Sequence, residues 1–134
     1  MANKVVFTNG CFDILHVGHL ELFKYCKSLG DYLIVAIDED DRIKKNKGPT
    51  RPINCLDDRV AMLSAIKYID EVRHFSSDSE LTSLVKSSNP DYMVVGDDYL
   101  DKTVIGSQYA KQLKFFRKVD GYSSTKTIQN ISNR

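Results

Sequence analysis

Apolar and polar positions along these 134 residues switch repeatedly between two periods. Val5-Val6-Phe7-Thr8 is a short β-rich run that ends at Asn9-Gly10. From Val17 to Leu29 the period becomes helical: Leu20, Phe23 and Cys26 share one face, and Gly30 stands at the stop. Tyr32 to Ile37 (YLIVAI) is continuously apolar, as in a strand covered on both faces. Leu56 to Tyr68 predicts a helix, with Val60, Leu63, Ala65 and Ile66 apolar, and Glu71 to Phe75 a short strand. Ser79 to Lys86 predicts a further helix, with Asp78 as its N-cap and Asn89-Pro90 beyond its end. Tyr92 to Val95 predicts a buried strand ending at Gly96. Val104 to Gln112 predicts a short helix, Lys114 to Arg117 a last strand, and Ser124 to Ile131 a last helix.

Strand and helix alternate with no linker and no internal repeat. The expectation is one α/β domain over residues 1–134, a doubly wound parallel sheet with right-handed crossovers. Such sheets bind ligands beyond the carboxyl ends of their strands, near the point where strand order reverses. Three loops therefore matter: those after Thr8, after Asp38 and after Val95.

Nineteen basic residues against eighteen acidic ones give a formal charge of +1, which argues against a general nucleic-acid coat. It leaves room for a local basic pocket and a small phosphorylated ligand. No apolar run approaches the roughly 20 residues that span a bilayer. The start, MANKVVFTNG, lacks the apolar stretch of a signal peptide. Cys11, Cys26 and Cys55 are odd in number and far apart, so reduced thiols and a cytoplasmic setting are expected.

The first loop reads Thr8-Asn9-Gly10-Cys11-Phe12-Asp13-Ile14-Leu15-His16-Val17-Gly18-His19. It contains neither GxxxxGK[ST] nor GxGxxG. His16 and His19 lie about one helical turn apart at the opening of a helix. Free N–H groups and a partial positive charge there suit a phosphate. Neutral imidazoles can donate to phosphate oxygens, and imidazolium can stabilise charge developing on them. Gly18 would let a ligand approach the backbone closely. Cys11, His16 and His19 also admit a metal-site reading, although no fourth ligand stands at a usual spacing.

These residues resemble a known family. TNGCFDILHVGH is similar to the N-terminal signature, HxGH, of the cytidylyltransferase-like nucleotidylyltransferases, and the resemblance covers nearly the whole chain. It implies attack of a substrate phosphate on the α-phosphate of ATP or CTP, with release of pyrophosphate and no covalent enzyme intermediate. His16 and His19 would hold the triphosphate and stabilise the transition state. Thr8, Asn9, Gly10, Cys11, Phe12 and Gly18 would line the nucleotide site. Mg²⁺ is expected with the triphosphate, and a homodimer as the assembly.

The second region, DRIKKNKGPTRP from Asp41 to Pro52, gathers Lys44, Lys45, Lys47 and Arg51 in what reads as a flexible Gly/Pro-containing loop. It is either a solvated surface loop or a basic flap over a triphosphate. The resemblance implies phosphate contacts from lysines here, with Lys44 foremost and Lys47 next. KGPTRPIN resembles the bacterial heptose 1-phosphate adenylyltransferases more than the glycerol 3-phosphate cytidylyltransferases. Asp57-Asp58-Arg59 opens the next helix. Arg59 is the family's usual arginine and reaches substrate phosphate in one reading; in the other it is an exposed helix arginine.

Val94-Val95-Gly96-Asp97-Asp98-Tyr99 carries two carboxylates past a buried strand. Asp97 and Asp98 are turn formers or acceptors for sugar or polyol hydroxyls. Val95 and Asp97 depart from the KGGDY of the adenylyltransferases, and GDD is closer to the cytidylyltransferase branch. Asp120-Gly121-Tyr122-Ser123-Ser124-Thr125-Lys126 puts hydroxyls at a helix opening, either as caps or as triphosphate donors; the resemblance implies the latter for Ser123, Ser124 and Thr125. Lys118 stands where the cytidylyltransferase branch has an arginine. Asp38 ends its strand where a carboxylate reads ribose hydroxyls or simply makes a turn. Asp13 would orient a histidine or bind the acceptor, and His74 reads as structural. The expected partners are thus ATP or CTP and a phosphorylated sugar or polyol, with no nucleic acid and no membrane. The rivals are a non-catalytic nucleotide-binding module and a metal-binding protein.

Overall fold

The computed structural model describes residues 3–117 and 123–132. Five parallel strands form one sheet: β1 (Val5–Gly10), β2 (Tyr32–Asp38), β3 (Glu71–Phe75), β4 (Tyr92–Gly96) and β5 (Gln112–Phe116), in the spatial order β3-β2-β1-β4-β5. Around it lie α1 (Val17–Leu29), α2 (Asp40–Lys47), α3 (Leu56–Ser64), α4 (Asp78–Ser88) and α5 (Ser124–Ser132). The chain winds outward from β1 to β3, then returns to place β4 on the other side of β1. The reversal lies between β1 and β4, so the doubly wound sheet opens its cleft at the carboxyl ends of these two strands.

The YLIVAI run explains the two-layer core. Leu33, Val35 and Ile37 pack with Phe23, Cys26 and Leu63 on one face; Ile34 and Ala36 pack with Phe75, Leu81 and Val85 on the other. Residues 33–37 are all buried, which is why no polar alternation marks this strand. None of the described helices is long and apolar enough to cross a membrane.

Four expectations are corrected. The basic segment after β2 is a helix, α2, ended by Gly48 at φ +107°. The stretch 104–112 is not a helix. Gly106 adopts φ +85° against Val85, a single 3-10 turn covers Ser107–Tyr109, and Gln112 already belongs to β5. The helix from Leu56 ends at Ser64 rather than Tyr68, and Ile66 and Ile69 pack from the following turns. The cap of α4 is Ser77, whose hydroxyl accepts the Glu80 N–H, while Asp78 is the first helical residue.

Arg59, on α3, is the largest fully buried side chain among the described residues. Its Nε donates to Asn54 O at 3.1 Å, its Nη1 to Cys11 O at 3.0 Å and Asp38 O at 2.7 Å, and its Nη2 to Asp40 Oδ1 at 2.7 Å. Neither sequence reading of Arg59 holds, since it is not exposed and its donor nitrogens are all engaged by protein oxygens. It pins the loop after β1, the end of β2 and the first turn of α2 to one point. Arg59→Met should cost about 3–5 kcal/mol, because it strands a carboxylate and several carbonyls. Urea denaturation checks this, and a loss under about 1 kcal/mol would put the residue with ordinary surface arginines.

Candidate active site

A cleft of about 600 Å³ opens at the carboxyl edge of β1 and β4, within the usual range for small-molecule sites. Its floor is Thr8 to Phe12, its rim Asp38, Gly96 and Asp98, and its far wall Ser123 and Thr125. Thr8 is held by donation from Oγ1 to Val94 O at 2.8 Å, which ties β1 to β4 beneath the cleft.

The histidines stand at the opening of α1. His16 N–H donates to Nδ1 of His19 at 3.2 Å. A neutral His19 must therefore carry its proton on Nε2, where it is a donor. The two rings stack with centroids 3.8 Å apart and an interplanar angle of 21°. Burial pushes the His16 pKa below the ordinary histidine value, so this ring is neutral at neutral pH. Both residues face the cleft beside the N–H groups of the first turn, the positive end of the helix.

Phe12 sets this pair in place. It takes φ +49°, an uncommon backbone for a bulky residue and a cost of about 1–3 kcal/mol. Its ring meets His19 edge-on at 5.2 Å and Phe23 at 5.1 Å. The same ring lies 3.1 Å from where a Cβ on residue 10 would be, so Gly10 makes room for it.

The cationic wall comes from α2 and the loop behind it. Ile43 is buried, and Asn46 and Lys47 follow it at i+3 and i+4, so all three share the face that looks into the cleft. Lys44 falls one residue off this face; it is exposed and does not line the cleft, a correction to its expected place at the phosphates. Arg42 lines the cleft above the Phe75 ring, donating from Nε to Asp38 at 3.1 Å and from Nη2 to Asp78 at 2.7 Å. The Asp38 carboxylate is thus already paired where it faces the cleft.

Asp13 is likewise corrected. It is buried and does not itself line the cleft. Its carboxylate accepts the N–H groups of Ile53 and Asn54 at 2.8 Å each, and its carbonyl accepts Asn54 Nδ2 at 2.7 Å. This caps the loop between α2 and α3. Asp97 lies in the 3-10 turn after β4 and does not line the cleft, whereas Asp98 does. Cys11 lines it too, and burial, reinforced by the Asp38 charge and opposed by Lys47, raises its thiol pKa. It therefore stays protonated and is no nucleophile. His74 is exposed at the edge strand and pairs with Glu39 at 2.8 Å. Ser124 is the first residue of α5. Lys118, Asp120, Gly121 and Tyr122 lie outside the described residues.

Sequence reasoning passed over Arg51 as one basic loop residue among several. It is 7% exposed and lines the cleft, and its Nη1 donates to Thr125 Oγ1 at 3.4 Å. Among the described residues its buried Nε and Nη2 have no hydrogen-bond acceptor, and the buried Asn9 Oδ1 has no donor. Such an unmet buried group costs about 1–3 kcal/mol unless something arrives to meet it. Neither Arg42 nor Arg51 carries a spacing signal that would have marked it.

The lowered His16 value fixes a sign. The unfolded chain binds a proton at His16 more readily than the native one. Its contribution to stability is therefore present above about pH 6.5 and is lost as pH falls below it. The melting temperature of the wild type, relative to His16→Gln, should drop between about pH 8 and about pH 5.5. A rise over that interval would mean that the native site prefers imidazolium.

The chain is similar to known proteins along most of its length. The profile of the Cytidylyltransferase-like family matches residues 7–130. The bifunctional protein HldE of Sulfurimonas denitrificans is 49% identical over 128 residues, 96% of this chain and 27% of that protein. HldE of Helicobacter hepaticus is 45% identical over 129 residues, again 96% and 27%. The chain thus spans about a quarter of the length of the curated relatives it matches. Among solved structures, the lipopolysaccharide core biosynthesis protein of Thermoplasma volcanium superposes with a TM-score of 0.68 at 27% identity, covering 89% of this chain and all of that one. The pantoate-beta-alanine ligase of Francisella tularensis, at 17% identity and a TM-score of 0.66 over 98% of this chain and 69% of its own, shares the fold. With its HxGH pair at the switch point of a parallel sheet, the chain belongs to the Cytidylyltransferase-like family and is a nucleotidyltransferase.

Proposed function

We propose that the chain transfers the adenylyl group of ATP to a phosphorylated sugar such as a heptose 1-phosphate and releases pyrophosphate. The observation that carries this is the stacked His16–His19 pair, its His19 Nε2 donor set by the His16 backbone at the opening of α1. The acceptor's phosphate oxygen forms a bond to the α-phosphorus of ATP, and the bond from that phosphorus to the bridging oxygen breaks. The electron pair leaves with pyrophosphate. Charge grows on oxygens beside the α1 N-terminus, where fixed donors stabilise it without reorganising.

No protein nucleophile is required, which accords with a protonated Cys11. Lys47 and Arg42 bring positive charge to the same wall. Asp38 and Asp98 are the carboxylates of the cleft, and no group of three or more His, Cys, Asp or Glu among the described residues forms a cage. Mg²⁺ entering with the triphosphate would neutralise charge on the phosphates.

The preference for ATP and a heptose phosphate rests on KGPTRPIN and on the HldE relatives. Gly96-Asp97-Asp98 favours a second reading, CTP with glycerol 3-phosphate or a similar polyol phosphate.

Pyrophosphate release, measured with each nucleotide against heptose 1-phosphate and glycerol 3-phosphate, should be fastest with ATP and the heptose. Turnover with CTP and glycerol 3-phosphate alone would select the second reading, and no turnover with any pair would remove both. His16→Ala and His19→Ala should each lower kcat by about 10²–10³. Nucleotide binding with no turnover in the wild type or in either variant would instead indicate a non-catalytic nucleotide-binding module.

A further inference from the structure

We propose that Arg51 is a phosphate-binding residue, its guanidinium taking a phosphoryl group of the nucleotide's triphosphate tail together with Thr125 at the opening of α5. The proposal rests on the nucleotidyl-transfer reading above and assigns within it a residue outside the HxGH signature.

Two buried arginines make the case by contrast. Arg59 gives each of its donor nitrogens to a protein oxygen within 3.1 Å, as befits a structural guanidinium. Arg51 does not. Its side chain is 9% exposed, and Nε and Nη2 have no hydrogen-bond acceptor among the described residues. Asp13 Oδ2 forms an ion pair with Nε at 3.5 Å without hydrogen-bond geometry, its two oxygens being held in place by the Ile53 and Asn54 N–H groups at 2.8 Å each. Asp13 thus supplies compensating charge without supplying an acceptor. The charge is balanced, yet arginine cannot shed its proton to remove the unmet donors, and a buried N–H without an acceptor is unfavourable.

The residue nevertheless faces the cleft. A planar fork with free N–H groups at the wall of a cleft matches phosphate oxygens in bidentate geometry. Both substrates carry phosphoryl groups. The remaining contact decides between them: Nη1 donates to Thr125 Oγ1 at 3.4 Å, on the first turn of α5, whose N-terminal N–H groups favour the most highly charged ligand. A phosphate held there would bridge the loop before α3 to α5, two segments 74 residues apart in sequence.

The test titrates the full chain calorimetrically with ATP, inorganic pyrophosphate, adenosine and mannose 1-phosphate. Arg51→Met should weaken pyrophosphate by about 10- to 100-fold, the scale of a charged hydrogen-bond pair, and leave adenosine unchanged. Arg51→Lys should recover only part of the loss, because an ammonium cannot form the fork. Thr125→Val should weaken pyrophosphate several-fold. Should Arg51→Met fail to fold, the Lys and Val variants carry the same comparison. Unchanged pyrophosphate binding, or equal losses for pyrophosphate and adenosine, would overturn the proposal, the second by showing a merely structural role. A loss confined to mannose 1-phosphate would overturn the assignment to the triphosphate tail. A wild type that binds neither ATP nor pyrophosphate would overturn the nucleotidyl-transfer reading itself, and Arg51 with it.

Discussion

The site depends on one buried charge. Arg59 stands where β1, β2, α2 and α3 converge, and its guanidinium holds the carbonyls of Cys11, Asp38 and Asn54 and the Asp40 carboxylate at fixed spacing. A carbonyl at the end of a parallel strand has no further ladder partner, and several such ends meet beside the cleft. Water could satisfy them, but water would let each loop relax by itself. One rigid planar cation satisfies them together and couples their positions. Asp40 is one-third exposed, so the pair reaches solvent on a single side and its desolvation cost is limited. The floor of the cleft from Cys11 and its rim at Asp38 are therefore set by a residue that never faces the ligand.

The same economy of buried polar groups governs the loop between α2 and α3. Asp13 fastens Ile53 and Asn54, and that fastening brings Arg51 to the wall beside α5. Carboxylates in this protein act mostly on the protein itself: Asp13 on a loop, Asp38 on Arg42, Asp40 on Arg59. Cations look outward into the cleft through Lys47, Arg42 and Arg51. Among the described residues the cleft lining sets these three cations against the two carboxylates Asp38 and Asp98, a small positive excess that the formal charge of the chain does not locate.

The fold was legible because buried parallel strands announce themselves: YLIVAI admits no other sheet position, and the turn residues after Thr8 and Val95 mark the ligand edge. The HxGH pair was legible because its spacing is itself the chemistry. What the sequence concealed were residues whose role depends on distant contacts. DRIKKNK is too polar to show a helical stripe, since Ile43 is its one buried residue, so it reads as a loop and Lys44 cannot be told from Lys47. Once the segment is a helix, Ile43 fixes the phase and selects Lys47. Arg59 looks like any charged helix residue, because burial of an arginine follows from orphan carbonyls elsewhere in the chain. Val104 and Ile105 suggest a helix locally, yet Gly106 against Val85 turns them into a packed loop.

The cleft is not uniformly polar, and this matters for the chemistry it can hold. Histidines, Lys47, Arg51, Ser123 and Thr125 line part of it, while Ile43, Phe75, Leu81, Val95, Val104 and Ile105 line another part. An apolar wall cannot anchor phosphate, but it can cover the flat face of a base or a sugar ring and keep water away. Exclusion of water raises the strength of every fixed dipole and charge on the polar side, because attraction scales inversely with the local dielectric. A transfer between two phosphates gains most from that arrangement, since it needs little covalent help and much charge stabilisation. The uncommon backbone at Phe12 fits the same logic: it places an aromatic edge on His19, so that the donor pair is held by packing before any substrate arrives.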